Sequence, residues 1–408
     1  MAPRNFALYG NFGTQNIGNE CTLQTVIDTI RDRWPDSAIY CICNEPVTVT
    51  RDHGIAALRM SMRATGDLPV AADESRFVRA ARIVFYTIPL ELMNLFRNWR
   101  QLRGTSDLWI VGTDVLEADS NETRSWMLSF LRWCLAARLR GIRIVFLSIG
   151  AGPIPSRFAR MITKAIFSMA TYISYRDTMA QEYMRSIDFD TSGHHVYPDL
   201  AFGLALTRQS APASSAAHPA SVGVGVVDAS KFADAEHYRE YLNKLADFVL
   251  WLRERNFQIR LIHGDGLYDT APLRDFGNVL CERGIPESDA RITLPVIENA
   301  QDLIEVIDAV DIVVASRYHN IILSLARGKL GLGLAYHMKF NALLADFGLE
   351  DYCDEVRNFD VEQLKSKFTS MLENRTRIEQ AIRAKTTQLR GQVDEQYRLL
   401  LEPGAAQV

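Results

Sequence analysis

The residues best suited to chemistry lie in Ala315–Asn320, which places an arginine and a histidine two positions apart. The apolar run 311–314 before it predicts a buried parallel strand, and 321–328 after it predicts a helix that ends at glycine. Such strand ends are where open α/β sheets bind anions. Arg317 offers a planar fork for a carboxylate or phosphate, and His319 has a side chain whose charge changes near neutral pH. We predict acid-assisted chemistry on a small anion; the alternative is a capped helix with a surface arginine.

A second junction of the same kind is Ser174–Asp177, where Asp177 is expected to be the N-cap or a first-turn residue of the following helix. Arg176 is then predicted to point into a cleft. One arginine from each half of the chain, Arg176 and Arg317, would hold a small dianion from two sides. The alternative is a surface arginine paired with Asp177.

A third junction is Gly333–Phe340, where another apolar strand leads into a helix. Lys339 is predicted to neutralise a phosphate there, with His337 sharing that role or serving as a hydrogen-bonded loop residue. Two acids follow predicted strands elsewhere, Asp114 and Asp199. Each fits a helix cap as well as a general base.

The loop Gly10–Glu20 follows the first predicted strand and precedes a helix. Its glycine spacing matches neither the dinucleotide fingerprint nor the P-loop, which argues against nicotinamide cofactors and P-loop chemistry. Asn11, Gly13 and Asn16 suit contacts with sugar hydroxyls, and Glu20 is a candidate proton acceptor. A tight turn without a ligand is the alternative.

Strand-length apolar runs alternate with helix-length amphipathic segments almost throughout, which predicts an α/β fold. A chain of 408 residues exceeds what one core usually supports. We expect an N-terminal Rossmann-like domain on the acceptor side (1–205), a Pro/Ser/Ala-rich linker (206–220) and a Rossmann-like domain on the donor side (221–360). Helices in 361–408 would pack back on the first domain. Two such domains facing a cleft resemble the GT-B glycosyltransferases.

The composition is that of an ordinary globular protein, with 48% apolar and 23% charged residues. A net charge of -4 argues against a nucleic-acid partner. The six cysteines are scattered without metal-ligand spacing, so neither a disulfide framework nor a bound metal is expected. Together with an N-terminus that lacks the pattern of a signal peptide, this predicts a cytoplasmic protein.

The apolar segment Ile83–Phe96 is too short and too interrupted to span a bilayer. Six arginines bracket it: Arg76, Arg79, Arg82, Arg97, Arg100 and Arg103. This pattern suits a helix that lies against an anionic membrane surface or covers an anionic substrate. The alternative is a core-facing helix with arginine-rich ends. If the helix lies against an anionic membrane surface, the protein would make peripheral contact with the inner face of the membrane.

Several short motifs occur in an order and spacing that resemble a known family. They are the Gly/Asn-rich opening loop, 174–177, 197–199, 316–319, 335–339 and 347–349. In this order they resemble the polysaccharide pyruvyl transferase family. The Ser-Arg-x-His element at 316–319 is the most specific of them.

The resemblance implies a GT-B-like enzyme that moves the enolpyruvyl carbons of phosphoenolpyruvate onto two hydroxyls of a sugar, forming a cyclic ketal and releasing phosphate. The acceptor would be a saccharide of a polysaccharide or its lipid-linked precursor. Arg176 and Arg317 would match the donor-binding arginines, His319 the proposed general acid, and Lys339 the lysine of the following motif. The scheme implies no cofactor and no metal.

Two motifs depart from the family pattern, both on the expected acceptor side. Gly112-Thr113-Asp114 stands where many members have three glycines, and Gly18-Asn19-Glu20 where Gly-Asp-Glu is common. These differences affect the prediction of which sugar is the acceptor and which residue is the general base more than the prediction of the donor chemistry. A nucleotide-sugar glycosyltransferase and a non-catalytic saccharide-binding protein are the alternative functions.

Overall fold

The alternating apolar and amphipathic stretches form parallel β-strands and helices in the computed structural model. It describes residues 4–60, 83–112, 121–154, 156–204, 221–228, 234–266, 268–336 and 338–401. Two compact units are formed. Unit 1 comprises Met1–Thr14, Thr22–Leu200 and Gln392–Val408, and unit 2 comprises Gln15–Cys21 and Ala201–Gly391. The α/β prediction is confirmed, since each unit contains one parallel sheet with alternating helices.

Unit 1 has the strand order β3-β2-β1-β4-β5-β6-β7. The strands are β1 (Phe6–Tyr9), β2 (Ile39–Cys43), β3 (Ala56–Arg59), β4 (Asp107–Val111), β5 (Arg143–Ile149), β6 (Tyr172–Tyr175) and β7 (His195–Val196). The helices are α1 (Ile17–Arg33), α2 (Pro46–His53), α3 (Ile88–Gln101, after a π-helical turn Ile83–Thr87), α4 (Asn121–Leu139), α5 (Arg157–Phe167) and α6 (Thr178–Ser186). The central strands β1 and β4 are buried on both faces, which explains their continuous apolar sequences.

Unit 2 has the strand order β10-β9-β8-β11-β12-β13. The strands are β8 (Ser221–Gly225), β9 (Gln258–Ile262), β10 (Ile292–Thr293), β11 (Ile312–Ala315), β12 (Leu330–Ala335) and β13 (Cys353–Glu355). The helices are α7 (Ala235–Glu254), α8 (Thr270–Glu282), α9 (Ala300–Asp308), α10 (Tyr318–Ala326), α11 (Met338–Asp346), α12 (Val361–Glu373) and α13 (Arg375–Leu401). The chain direction across the sheet reverses between β8 and β11. Loops at the carboxyl ends of these strands therefore form a topological switch point, where such sheets bind ligands.

The division into units differs from the sequence-based boundaries in three places. Residues 201–204 group with unit 2 rather than with the N-terminal domain. Residues 15–21 group with unit 2, because Ile17 N–H donates to Gly264 O (3.1 Å) and Gly266 N–H to Gln15 O (3.0 Å). The stretch 361–391 also belongs to unit 2, where α12 packs on α7. The predicted linker 206–220 lies outside the described residues.

The end of α13 groups with unit 1, where its buried Gln396 joins two strands. The Gln396 amide bonds to both Ser148 Oγ (3.1 Å) and Ser174 Oγ. Ser174 Oγ also accepts from Ser148 N–H (2.8 Å) and donates to Phe146 O (3.1 Å). This network fixes the ends of β5 and β6, directly before Arg176.

Replacing Gln396 by alanine removes the acceptor of the buried Ser148 hydroxyl and one of the hydrogen bonds of Ser174 Oγ. We expect Gln396→Ala to lower the free energy of unfolding by about 1–3 kcal/mol, measured by urea denaturation. The neighbouring exposed Glu395 is the control, and Glu395→Ala should leave the midpoint nearly unchanged. Equal midpoints for both variants would contradict a stabilising role for the network.

Candidate active site

The Ser-Arg-x-His element lies at the switch point of unit 2, as its position after β11 predicts. Arg317 is the N-cap residue of α10, and His319 is in its first turn. The parallel neighbour β12 pairs in register with β11, so α10 and α11 begin side by side. The rings of Tyr318 and Phe340, 5.5 Å apart, join the two helix starts. The helix ends before Gly328, also as predicted.

Arg317 is held by a carboxylate that the sequence did not point to. Asp269, fully buried, accepts from Arg317 Nε with both oxygens at 3.0 Å and also from Nη2. Burial alone would lower the pKa of Arg317, but the hydrogen bonds and charge of Asp269 outweigh it and raise that pKa. The guanidinium is therefore a permanent cation in a fixed orientation. Asp269 occupies its side-on edge, so the end-on edge remains to bind an anion.

His319 lies directly against the opening loop of the chain. A Cβ atom placed on Gly18 would be 2.0 Å from His319 Cγ and 2.2 Å from Nδ1. Any larger residue at position 18 would therefore clash with the His319 imidazole in its present position. The structure thus brings together, within unit 2, two motifs that the sequence analysis singled out separately.

Asn16 and Glu20 belong to the start of α1. Asn16 caps the helix, because its Oδ1 accepts from Asn19 N–H (3.4 Å), and it forms an antiparallel bridge with Asp265. Glu20 is buried in the first turn, where a carboxylate is stabilised by the helix dipole. The helix start thus explains on structural grounds why asparagine and glutamate occur at these two positions. Their contacts with substrate stay predictions.

Lys339 is half-buried in the first turn of α11, one residue before Phe340. It therefore follows β12 on the same sheet edge as Arg317 and His319. His337 and Asp114 lie outside the described residues.

Arg176 lies in unit 1, where its side chain is only 4% exposed. It forms ion pairs with Asp199 (Nη1 to Oδ2, 3.7 Å) and Asp177 (Nε to Oδ2, 3.8 Å). Asp177 is the N-cap of α6 as predicted, since its side chain accepts from Ala180 N–H (2.7 Å). Arg176 is therefore a buried, ion-paired arginine rather than a surface one. A joint grip on one dianion with Arg317 stays a prediction.

Asn11 and Gly13 also belong to unit 1. Asn11 is exposed and accepts from Asn44 Nδ2 (2.6 Å). Gly13 has φ +77°, and a Cβ there would meet Glu45 O at 2.4 Å. These two residues thus form a tight turn against the segment before α2. Sugar contacts from them are untested.

The residues that sequence reasoning missed are in the loop after β9. Asp269 also accepts from the backbone N–H groups of Gly264 and Asp265, each at 3.0 Å. The fully buried amide of Asn320 packs against Gly264 and Gly225 from the first turn of α10. The signal that could have revealed this loop is His263-Gly264-Asp265-Gly266, another glycine-rich turn after an apolar strand.

The described residues contain neither a membrane-crossing helix nor a cluster of metal ligands. None of their helices has the length and apolarity needed to cross a bilayer. Nowhere in the same residues do three or more His, Cys, Asp or Glu side chains come together in a way that could hold a metal ion.

Solved structures of similar fold include sugar-nucleotide enzymes. A UDP-GlcNAc 2-epimerase from Neisseria meningitidis, solved with UDP-GlcNAc, has a TM-score of 0.61 and 11% identity, covering 98% of this chain and 100% of that chain. A glycosyltransferase from Rickettsia africae has a TM-score of 0.58 and 10% identity, covering 98% of each chain. At these identities the likeness shows the fold alone, which is GT-B-like.

Sequence comparison identifies the family. No curated protein matches this chain significantly. The family model for polysaccharide pyruvyl transferase, however, matches residues 16–338, a span that includes Arg176 and the Ser-Arg-x-His element. Since this match covers well over half of the sequence, the chain belongs to the polysaccharide pyruvyl transferase family.

Proposed function

We propose that this protein transfers the pyruvyl group of phosphoenolpyruvate to a saccharide as a cyclic ketal, releasing phosphate. The observation that carries the proposal is the arrangement of Arg317 and His319 at the carboxyl end of β11. A guanidinium fixed by a buried carboxylate stands two residues from an imidazole packed on Gly18. One group binds an anion and the other can give up a proton.

The donor has two anionic groups, a carboxylate and a phosphate. The end-on edge of Arg317 suits either of them, because it presents two parallel N–H donors. Lys339, at the start of the neighbouring helix, would neutralise the other. The N-termini of α10 and α11 add a favourable potential at the same sheet edge.

The chemical step needs an acid at the methylene carbon of the donor. Protonated His319 would transfer its proton to that carbon, which leaves an oxocarbenium-like centre at the adjacent carbon. The first sugar hydroxyl attacks this centre, and its proton returns to the imidazole. The second hydroxyl then displaces phosphate, which leaves with the remaining proton. Two C–O bonds form, one C–O bond to phosphate breaks, and the imidazole ends in its starting state.

The acceptor in this proposal is a saccharide of a polysaccharide or of its lipid-linked precursor. No cofactor and no metal take part in the scheme. The six cysteines are free thiols, and the cytoplasm remains our prediction for the compartment.

The assigned acid can be separated from the donor site. We expect His319→Asn to bind phosphoenolpyruvate modestly more weakly than the wild type, since one cation is lost. Its phosphate release with a saccharide acceptor should fall about a hundred- to ten-thousand-fold, since the proton donor is lost. Calorimetry measures the binding, and phosphate release with a panel of polysaccharides measures the turnover. The control is His237→Gln, which changes an exposed histidine of α7. Undiminished turnover in His319→Asn would refute the assignment.

Gly18→Ala tests the position of the imidazole. The added Cβ displaces His319, and a misplacement of about 1 Å typically reduces turnover about a hundredfold. Phosphate release should fall accordingly while the chain stays folded. Gly277→Ala is the matched control, because a Cβ at that helical position meets nothing within 4 Å. Equal turnover in the two variants would contradict the contact.

Arg317→Lys tests donor recognition. Lysine carries one point charge and no fork, so it cannot pair with Asp269 and present two further donors in a fixed direction. We expect the dissociation constant for phosphoenolpyruvate to rise tenfold or more by calorimetry. Arg274→Lys, on the surface of α8, should leave it unchanged. Stabilisation by UDP but not by phosphoenolpyruvate in the wild type would instead favour a nucleotide-sugar transferase.

A further inference from the structure

Helix α3 and the π-helical turn before it expose an apolar face. Six side chains there are each 47–81% exposed: Phe85, Tyr86, Ile88, Leu92, Met93 and Phe96. Phe85, Ile88, Leu92 and Phe96 recur at intervals of three and four residues, so they line one side of the helix. A contiguous exposed apolar face of this kind marks a binding surface rather than scattered exposure.

The side of α3 next to this face packs on the core of unit 1. Asn98 is buried, and Leu95 and Trp99 pack against the core cluster. Trp99 also stacks on exposed Phe96, with ring centroids 5.8 Å apart, so the exposed apolar residues continue the face that holds the helix in place. Helix α3 therefore has a core-facing part and an exposed apolar part.

The exposed charged side chains that α3 and its carboxyl-terminal end contribute are all positive. Arg97, Arg100 and Arg103 are exposed at the carboxyl-terminal end of α3. The one acidic residue of the helix, Glu91, lies on the other side and forms an ion pair with buried Arg132. The exposed surface thus combines aromatic and aliphatic side chains with cations and has no acid from α3.

We infer that this face of α3 binds the surface of an anionic lipid bilayer. Apolar side chains would enter the boundary between headgroups and acyl chains, and the arginines would contact lipid phosphates. A protein partner or a second copy of the chain would need to supply acidic groups opposite the arginines, whereas an anionic bilayer supplies them everywhere. The inference does not depend on pyruvyl transfer.

Vesicle binding by the full chain tests this inference. Wild-type protein should co-sediment with vesicles of phosphatidylglycerol and phosphatidylcholine, and much less with phosphatidylcholine alone. The double variant Leu92→Ser/Phe96→Ser should reduce the partition coefficient tenfold or more. Arg100→Gln should reduce it about fivefold on anionic vesicles only, the expected effect of one surface cation.

Matched controls distinguish vesicle binding by the exposed face of α3 from nonspecific hydrophobic adsorption. Met161→Ser changes a side chain that is as exposed as Phe96, 57% in each case, on another helix of unit 1 and should bind like the wild type. Phe85→Trp adds a reporter on the face to the six native tryptophans, so the difference between its emission and that of the wild type should shift to the blue when anionic vesicles are added.

Three results would overturn the inference. One is equal binding by the wild type and Leu92→Ser/Phe96→Ser. Another is the absence of a blue shift in vesicle-bound Phe85→Trp. The third is lipid-free dimerisation in analytical ultracentrifugation that the double serine variant abolishes, which would assign the face to a second copy.

Discussion

The buried carboxylate of Asp269 is the constraint on which the site in unit 2 depends. An ionised carboxylate without solvent is costly unless it is paired and hydrogen-bonded. Here it is bonded to the Arg317 guanidinium and to the backbone N–H groups of Gly264 and Asp265. The same loop hydrogen-bonds to residues 15–17, which places Gly18 against His319. One carboxylate therefore links the orientation of the arginine, the loop after β9 and the surface on which the imidazole rests.

Much of the fold could be predicted, because the strands that form the sheet centres are buried on both faces and read as continuous apolar runs. The sequence pattern predicts strands over 6–9, 172–175 and 258–262, and β1, β6 and β9 have these bounds. The short edge strands β3 and β13 were missed, since partly exposed strands of three or four residues carry mixed sequences. The sequence pattern also predicts strands over 195–197 and 292–294, where the edge strands β7 and β10 lie, so one edge of each sheet was predicted and the other was missed.

The candidate site was predictable only in part, for a different reason. The position of Arg317 and His319 directly after β11 predicts both as site residues. Their contacts, however, come from segments that are distant in the sequence. Asp269 lies 48 residues away along the chain and looks like an ordinary helix-start residue. In the sequence Gly18 resembles an ordinary turn glycine. The folded chain shows that the His319 side chain packs directly on it. Spacing within one motif cannot encode such contacts, because they arise from the order of strands in the sheet.

The ion pairs also limit how a dianion would be held. Arg317 and Arg176 each face a buried carboxylate, so neither contributes an uncompensated positive charge. Their value for binding would lie in fixed geometry, since a guanidinium already held on one edge loses little freedom when an anion contacts the other. Net positive potential must come from elsewhere, and in unit 2 the available sources are Lys339, the helix N-termini and the protonated form of His319. The proton that the proposed chemistry requires would thus also favour donor binding, which couples the charge of the imidazole to both steps.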